Sequence, residues 1–279
     1  MFAFGLDISR WQYPPDGKKL LDFEVMALHS DPIVSFVFSR SGVSWGYTDA
    51  WFARNWAETR RIDRIREDNN FEALPVGRGL YHVLYPGENV LSQVDAMMAI
   101  AEANNADWEH DKIVMDNELD HGQSKRRITD AIKDFAYLVK KKVGFYPINY
   151  TRTNWMFRHT YYEELSFMDN WLAQYRRALP YPLYTPEYNP PPVMGYGEDQ
   201  NNPRVMKNWL VHQTAEHGKP IGSYVNWQDY NRWNGDEKAV AEYFGFTGEV
   251  IPEPPQELTL EQLFDMHVHP EKHPAVNNG

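Results

Sequence analysis

The chain has 279 residues, 42% of them hydrophobic and 24% charged, which suits an ordinary globular protein with a large core, read as one domain plus a tail. A formal net charge of −11 disfavours binding to nucleic acid or anionic membrane, since that affinity comes from neutralising phosphates with Lys and Arg. The absence of cysteine excludes disulfides, thiolate metal sites and a cysteine nucleophile, and no run approaches the roughly 18 apolar residues of a membrane span.

In chain order, short apolar runs mark strands at AFGLDI (3 to 8), IVSFVFSR (33 to 40), GLYHVLY (79 to 85), KIVMDNE (112 to 118), YPINYT (146 to 151), NWLAQY (170 to 175) and WLVHQT (209 to 214). Helical patterns lie between several of them. One covers Thr48 to Arg66. A second starts at Asn89 as N-cap and places Val90, Leu91, Val94, Met97, Met98 and Ala101 at helical spacing. A third runs from Ser124 through Ile128, Ile132, Phe135, Leu138 and Val139, with three lysines in its last turn and Gly144 as C-cap. Strand and helix alternating over about 240 residues predict a parallel sheet closed into a barrel. After Trp171 the loops become Pro- and Gly-rich with no long amphipathic helix, so the late strands are expected to lack their helices.

Residues 249–279 read as a Pro-rich linker with one short helix from about Thr259 to about His267, which leaves 1–248 as the barrel domain. His267, His269 and His273 are not read as a metal site, because such a tail supplies no second layer of hydrogen bonds to fix imidazoles. No metal or cofactor is expected. The start MFAFGLDISRW lacks the basic, apolar and cleavage regions of an export signal.

The segment KIVMDNELDHG carries the most chemistry. Residues i and i+2 of a strand share a face, so Asp116 and Glu118 project to one place at a strand end. Paired carboxylates there suit glycosidic bond cleavage, in which one protonates the leaving oxygen and the other stabilises positive charge on the sugar. Taken alone, the same segment reads more readily as a strand running out into an acidic surface loop, since acidic residues are mostly exposed. Asp7, at the end of the first strand, falls on the barrel edge where catalytic groups converge. Aromatic residues, 15% of the chain with 10 Trp and 17 Tyr, serve sugar stacking as well as core packing.

These pieces together resemble glycoside hydrolase family 25, the N-acetylmuramidase lysozymes, over roughly residues 4 to 245. GLDISRWQ is similar to the family's G-x-D-x-S-x-x-Q, GLYHV to its G-x-Y-H strand and MDNE to its D-x-E signature. FVFSRSGVSWGYTDAWFARNW, INYTRTNW and NWLAQY follow in the family's order. HQTAEHG resembles its Q-Y-x-x-x-G segment with Thr214 in place of tyrosine, and DYNRWNG its closing D-x-N-x-F-x-G, which contributes Asp229.

The resemblance implies an α/β fold, an irregular TIM-like β/α barrel. It implies Glu118 as general acid, Asp116 as its partner carboxylate, and Asp7 and Asp229 as two further acids of the cleft. Tyr81, Tyr150, Trp171, Tyr175 and Gln213 fall on segments that line the family's muramic-acid subsite. Hydrolysis needs an acid still protonated near neutral pH, and crowding carboxylates together favours one by like-charge repulsion. The expected reaction is cleavage of the β-1,4 bond between N-acetylmuramic acid and N-acetylglucosamine with retention. Either Asp116 attacks as nucleophile or, as the resemblance favours, it orients the substrate's acetamido group. A noncatalytic wall-binding or phage tail component on the same barrel, and a hydrolase of chitin-like chains, are the alternatives. The partner implied is peptidoglycan, reached from a phage lysis system, from a virion or by secretion, with the tail for targeting or assembly. His82 and His212 are read as structural. The charged stretch RRIDRIREDNNFEALPVGR and the Pro-rich stretch 180 to 203 are expected to reshape the cleft rim.

Overall fold

The computed structural model describes residues 2–175, 192–194, 204–205, 208–225 and 227–246. The expected second region, 249–279 with its three histidines, and most of the Pro-rich stretch lie outside the described residues.

The described elements are strands β1 (Phe4–Ile8), β2 (Val34–Val43), β3 (Tyr47–Thr48), β4 (Gly77–Val83), β5 (Asp111–Asp116), β6 (Ile148–Arg152) and β7 (Asn170–Ala173), then β8 (Val193–Met194), β9 (Arg204–Val205), β10 (Trp209–Ala215) and β11 (Asp229–Trp233). The helices are α1 (Phe23–Ala27), α2 (Phe52–Asp68), α3 (Val90–Ala103), α4 (Lys125–Val143), α5 (Thr153–His159) and α6 (Glu237–Tyr243). Eight strands close a barrel in the order β1, β11, β10, β7, β6, β5, β4, β2, with β1 pairing back to β2. All neighbours are parallel except β11, which runs antiparallel to both β1 and β10. The two-residue β3 hangs on β2 as a hairpin, and among the described residues no helix separates β7 from β10 or β10 from β11.

The strands read as near-continuous apolar runs because both faces are covered. Along β2, Phe36 and Phe38 point into the barrel with Tyr81, Val114, Ile148, Tyr150, Trp171, Val211 and Trp233. The alternate residues Leu80, Ile113 and Met115 pack outward against Val94 and Met97 of α3 and Ile132 and Phe135 of α4. Glycine makes the inner layer fit. A Cβ on Gly5 would stand 2.5 Å from the Phe36 ring, and one on Gly79 would stand 2.7 Å from Phe38.

Caps fix where the helices begin. The Asn89 side chain accepts the Ser92 N–H at 2.9 Å, the Ser124 hydroxyl accepts that of Arg127, and Gly144 ends α4 at φ +89°. At the N-terminal end of the barrel Arg78 of β4 forms a two-pronged ion pair with Asp111 of β5, at 2.8 and 2.6 Å. The charged stretch expected to alter the cleft rim lies at that end as well. It finishes α2 and leads into the start of β4, and the Arg66 guanidinium there donates to the carbonyls of Ala27, Val34 and Leu74. Lying at the base, it does not border the cleft.

Candidate active site

The parity that fills the barrel also aims its acids. Asp7 follows Gly5 on the inner face of β1, and Asp116 follows Val114 on that of β5. Both lie at C-terminal strand ends, where β/α barrels gather their functional groups. Because β11 is reversed, its first residue, Asp229, reaches the same end and stands directly across from Asp7 in the ladder. Strand β5 stops at Asp116, so Glu118 lies just beyond it. The intervening Asn117 is fixed by its backbone N–H to the Tyr150 carbonyl at 3.0 Å and by its side chain to Asn149 at 3.2 Å. Asn149 in turn donates to Asn170 at 3.0 Å, a buried amide ladder across β5, β6 and β7. It clamps the backbone between the two acids.

Asp7 sits in a polar network. Its Oδ2 accepts from Gln213 Nε2 and from Asn231 Nδ2, both at 2.8 Å. Gln213 Oε1 accepts the hydroxyls of Tyr150, at 2.9 Å, and Tyr175, while Asn231 Oδ1 accepts the Trp171 indole N–H at 2.8 Å. Gln213, Tyr150, Tyr175 and Trp171 were all anticipated from sequence. Asn231, two residues after Asp229 and therefore on the same face of β11, was not. Trp171 is 1% exposed and packs at a tilt against Tyr150, with ring centroids 4.4 Å apart. Tyr81 completes the inner wall, edge-on to Trp171 at 6.1 Å.

Burial dominates the electrostatics. Asp7 is pushed up to about 6, first by desolvation and then by the charge of Glu118, although its two amide donors pull the other way. Asp116 is raised well above the usual carboxylate range by burial and then by Glu118, and Asp229 by burial and then by Asp7 and Glu216. Asp116 Oδ1 is buried and accepts no hydrogen bond among the described residues. Burial raises the phenols of Tyr81, Tyr150 and Tyr175 as well, so they stay hydrogen-bond donors.

Two cations face this group, and sequence reasoning singled out neither. Arg40 of β2 spends its Nε and Nη2 on Asp49, at 2.8 and 2.7 Å. Arg152, the last residue of β6, brings its Nε to 3.0 Å from Glu118 Oε2. His82 is buried and held between the Ser41 hydroxyl and the Ser44 carbonyl, its pKa lowered to about 4 by desolvation. His212 donates to the Gln174 carbonyl and accepts from Arg232. Neither imidazole faces the acids. The tightest cluster of metal-ligand types among the described residues, Asp107, Glu109 and His110, sits by the N-terminal end of β5, opposite the acids.

The family model described as Glycosyl hydrolases family 25 matches residues 6–223 of this chain, more than half of its length. The chain belongs to that family. The aligned stretch holds Asp7, Asp116 and Glu118 and ends just before Asp229. No curated protein matches by sequence. Among solved structures, a lysozyme from Streptomyces coelicolor is similar over 88% of this chain and 99% of its own, at 18% identity and a TM-score of 0.62. A muramidase from Acremonium alcalophilum is similar over 87% and 99%, at 18% identity and a TM-score of 0.59. The catalytic domain of an endolysin from a Listeria monocytogenes bacteriophage follows at 14% identity over 88% and 98%, with a TM-score of 0.55. At such identities the likeness establishes the shared barrel. As a family 25 chain, the protein is a glycoside hydrolase.

Proposed function

We propose that this family 25 barrel is an N-acetylmuramidase that cleaves the β-1,4 bond between N-acetylmuramic acid and N-acetylglucosamine in peptidoglycan. The observation that carries the reading is the convergence of Asp7, Asp116, Glu118 and Asp229 at one end of the barrel, with three of them carrying raised pKa values. Four acids packed this closely are costly unless charge develops beside them.

Glu118 is the general acid, because it is the acid nearest the mouth and the one beyond its strand end, able to reach a glycosidic oxygen. Asp116 orients the acetamido group of the muramic residue for attack on the anomeric carbon, giving retention. Its buried Oδ1, without a hydrogen-bond partner among the described residues, suits an amide N–H of the substrate. Asp7 and Asp229 stabilise the positive charge that grows on the sugar. Tyr81, Tyr150, Trp171, Tyr175 and Gln213 form the floor beneath that sugar, and residues 249–279 serve targeting or assembly at the bacterial wall.

The test is digestion of purified peptidoglycan followed by mass spectrometry of the borohydride-reduced fragments. New muramitol ends support the reading, whereas new glucosaminitol ends, or no cleavage, refute it. Proton NMR of the first-formed anomer checks retention.

A further inference from the structure

The arginine against the catalytic acid has no part in that mechanism as it stands, and its chemistry conflicts with it. A guanidinium at 3.0 Å favours a carboxylate, whereas a proton donor has to be a carboxylic acid. Yet the pair is loosely made. Glu118 Oε2 is buried and receives no properly aligned hydrogen bond among the described residues, while the Arg152 side chain is 61% exposed. The arginine stands at the C-terminal end of β6, on the side of the barrel that holds the acids. The arginine side of the pair is the exposed one, so the long Arg152 side chain can turn from one carboxylate to another. Arg40 differs in this respect, being committed to Asp49 through two nitrogens on a side chain only 12% exposed.

Building on the muramidase reading, we infer that Arg152 is a specificity-determining residue that leaves Glu118 to bind a carboxylate borne by the substrate. Planar, two-pronged carboxylate recognition is what a guanidinium does best. Muramic acid offers such a group on the sugar next to the scissile bond. Its 3-O-lactyl ether ends in a carboxylate when the strand is bare, and in a stem peptide with carboxylates of its own when it is not. An acidic glycan therefore anchors itself and releases the acid in one exchange, and an uncharged glycan does neither.

The experiment uses the full chain and three preparations of one glycan: strands with stem peptides attached, strands stripped by an amidase, and stripped strands whose carboxylates have been amidated with a carbodiimide and ammonia. The wild type should cut at least one acidic preparation with kcat/KM about tenfold above the amidated one, the scale of a lost charge-assisted hydrogen bond. A preference for stripped strands identifies the lactyl carboxylate, and a preference confined to strands with peptides identifies the stem. Arg152→Gln should lose the preference through a higher KM on the acidic strand, and its kcat on amidated strands should rise above wild type. Arg152→Lys should keep part of the preference. A merely structural arginine would move KM and kcat alike on every strand. The inference is overturned if the wild type cuts acidic and amidated strands equally, or if Arg152→Gln keeps the wild-type preference. Failure of the wild type to cut any of the three removes the muramidase reading itself, and the inference with it.

Discussion

Replacing Asp7 by Asn should make the protein more stable at neutral pH while disabling it. Asp7 is held at about 6 in the folded chain against an ordinary value of 3.8, so the native state binds its proton more tightly than the unfolded state does. Above about pH 6 the charged side chain is a full liability, and the liability disappears as pH falls towards 3.8. At 1.36 kcal/mol per pH unit the difference amounts to about 3 kcal/mol at neutral pH. Asparagine keeps an oxygen to accept the bonds from Gln213 and Asn231, so little offsets the gain. For a domain of this size the variant should melt roughly 5–10 °C above wild type at about pH 7.5, with the gap closing near pH 4. His82 works in the opposite sense over the same window. Its value is lowered from 6.5 to about 4, so its contribution is lost as pH falls, and only the variant-minus-wild-type difference isolates Asp7. Turnover on peptidoglycan should fall by on the order of 10²-fold, since the proposed mechanism sets Asp7 where charge develops. A stability difference that is absent at pH 7.5, or that does not change with pH, would refute the reasoning.

Four further outcomes are expected. Glu118→Gln should melt like wild type and lose on the order of 10²-fold or more in turnover, read as release of reducing ends. Asn231→Leu strips a donor from Asp7 and leaves the buried Trp171 N–H unpaired, so it should cost about 1–3 kcal/mol in urea unfolding, most of it above about pH 6 where Asp7 is charged. Gly5→Ala drives a methyl group to 2.5 Å from the Phe36 ring and should destabilise by roughly 1–3 kcal/mol in the same assay. Truncation after Gly248 should keep activity and shift the melting temperature by no more than a few degrees, because the described core closes with Phe244 and with Phe246 stacked on His110.

Seven of the eight barrel strands were legible because their apolar runs are short enough to stand out between helical periods. The caps at Asn89, Ser124 and Gly144 were legible for a local reason too, since each acts within its own turn. Strand β11 was visible only as a motif. Its inner face begins with Asp229 and Asn231 and its outer face carries Tyr230 and Arg232, so no apolar run announces it. Asp116 and Glu118 do become neighbours, though by a strand end and a fixed turn in place of the continuous strand the spacing suggested. The ladder from Asn117 through Asn149 to Asn170 left no trace, because its members lie 32 and 21 residues apart. Arg152 was equally hidden. A lone arginine at a strand end looks like a solvated terminus until the fold sets a carboxylate beside it.

The reversed last strand has a consequence for how the enzyme comes into being. Strand β11 fills the gap between β10 and β1, so the residue facing Asp7 lies 222 positions further along the chain than Asp7 itself. A ribosome that has released everything through β10 has made Asp7, Asp116 and Glu118, but neither Asp229 nor the amide of Asn231 that supports Asp7. The earlier acids then sit in an open, wet sheet whose first strand is paired on one side only. Closure of the barrel seam is therefore a late event of synthesis.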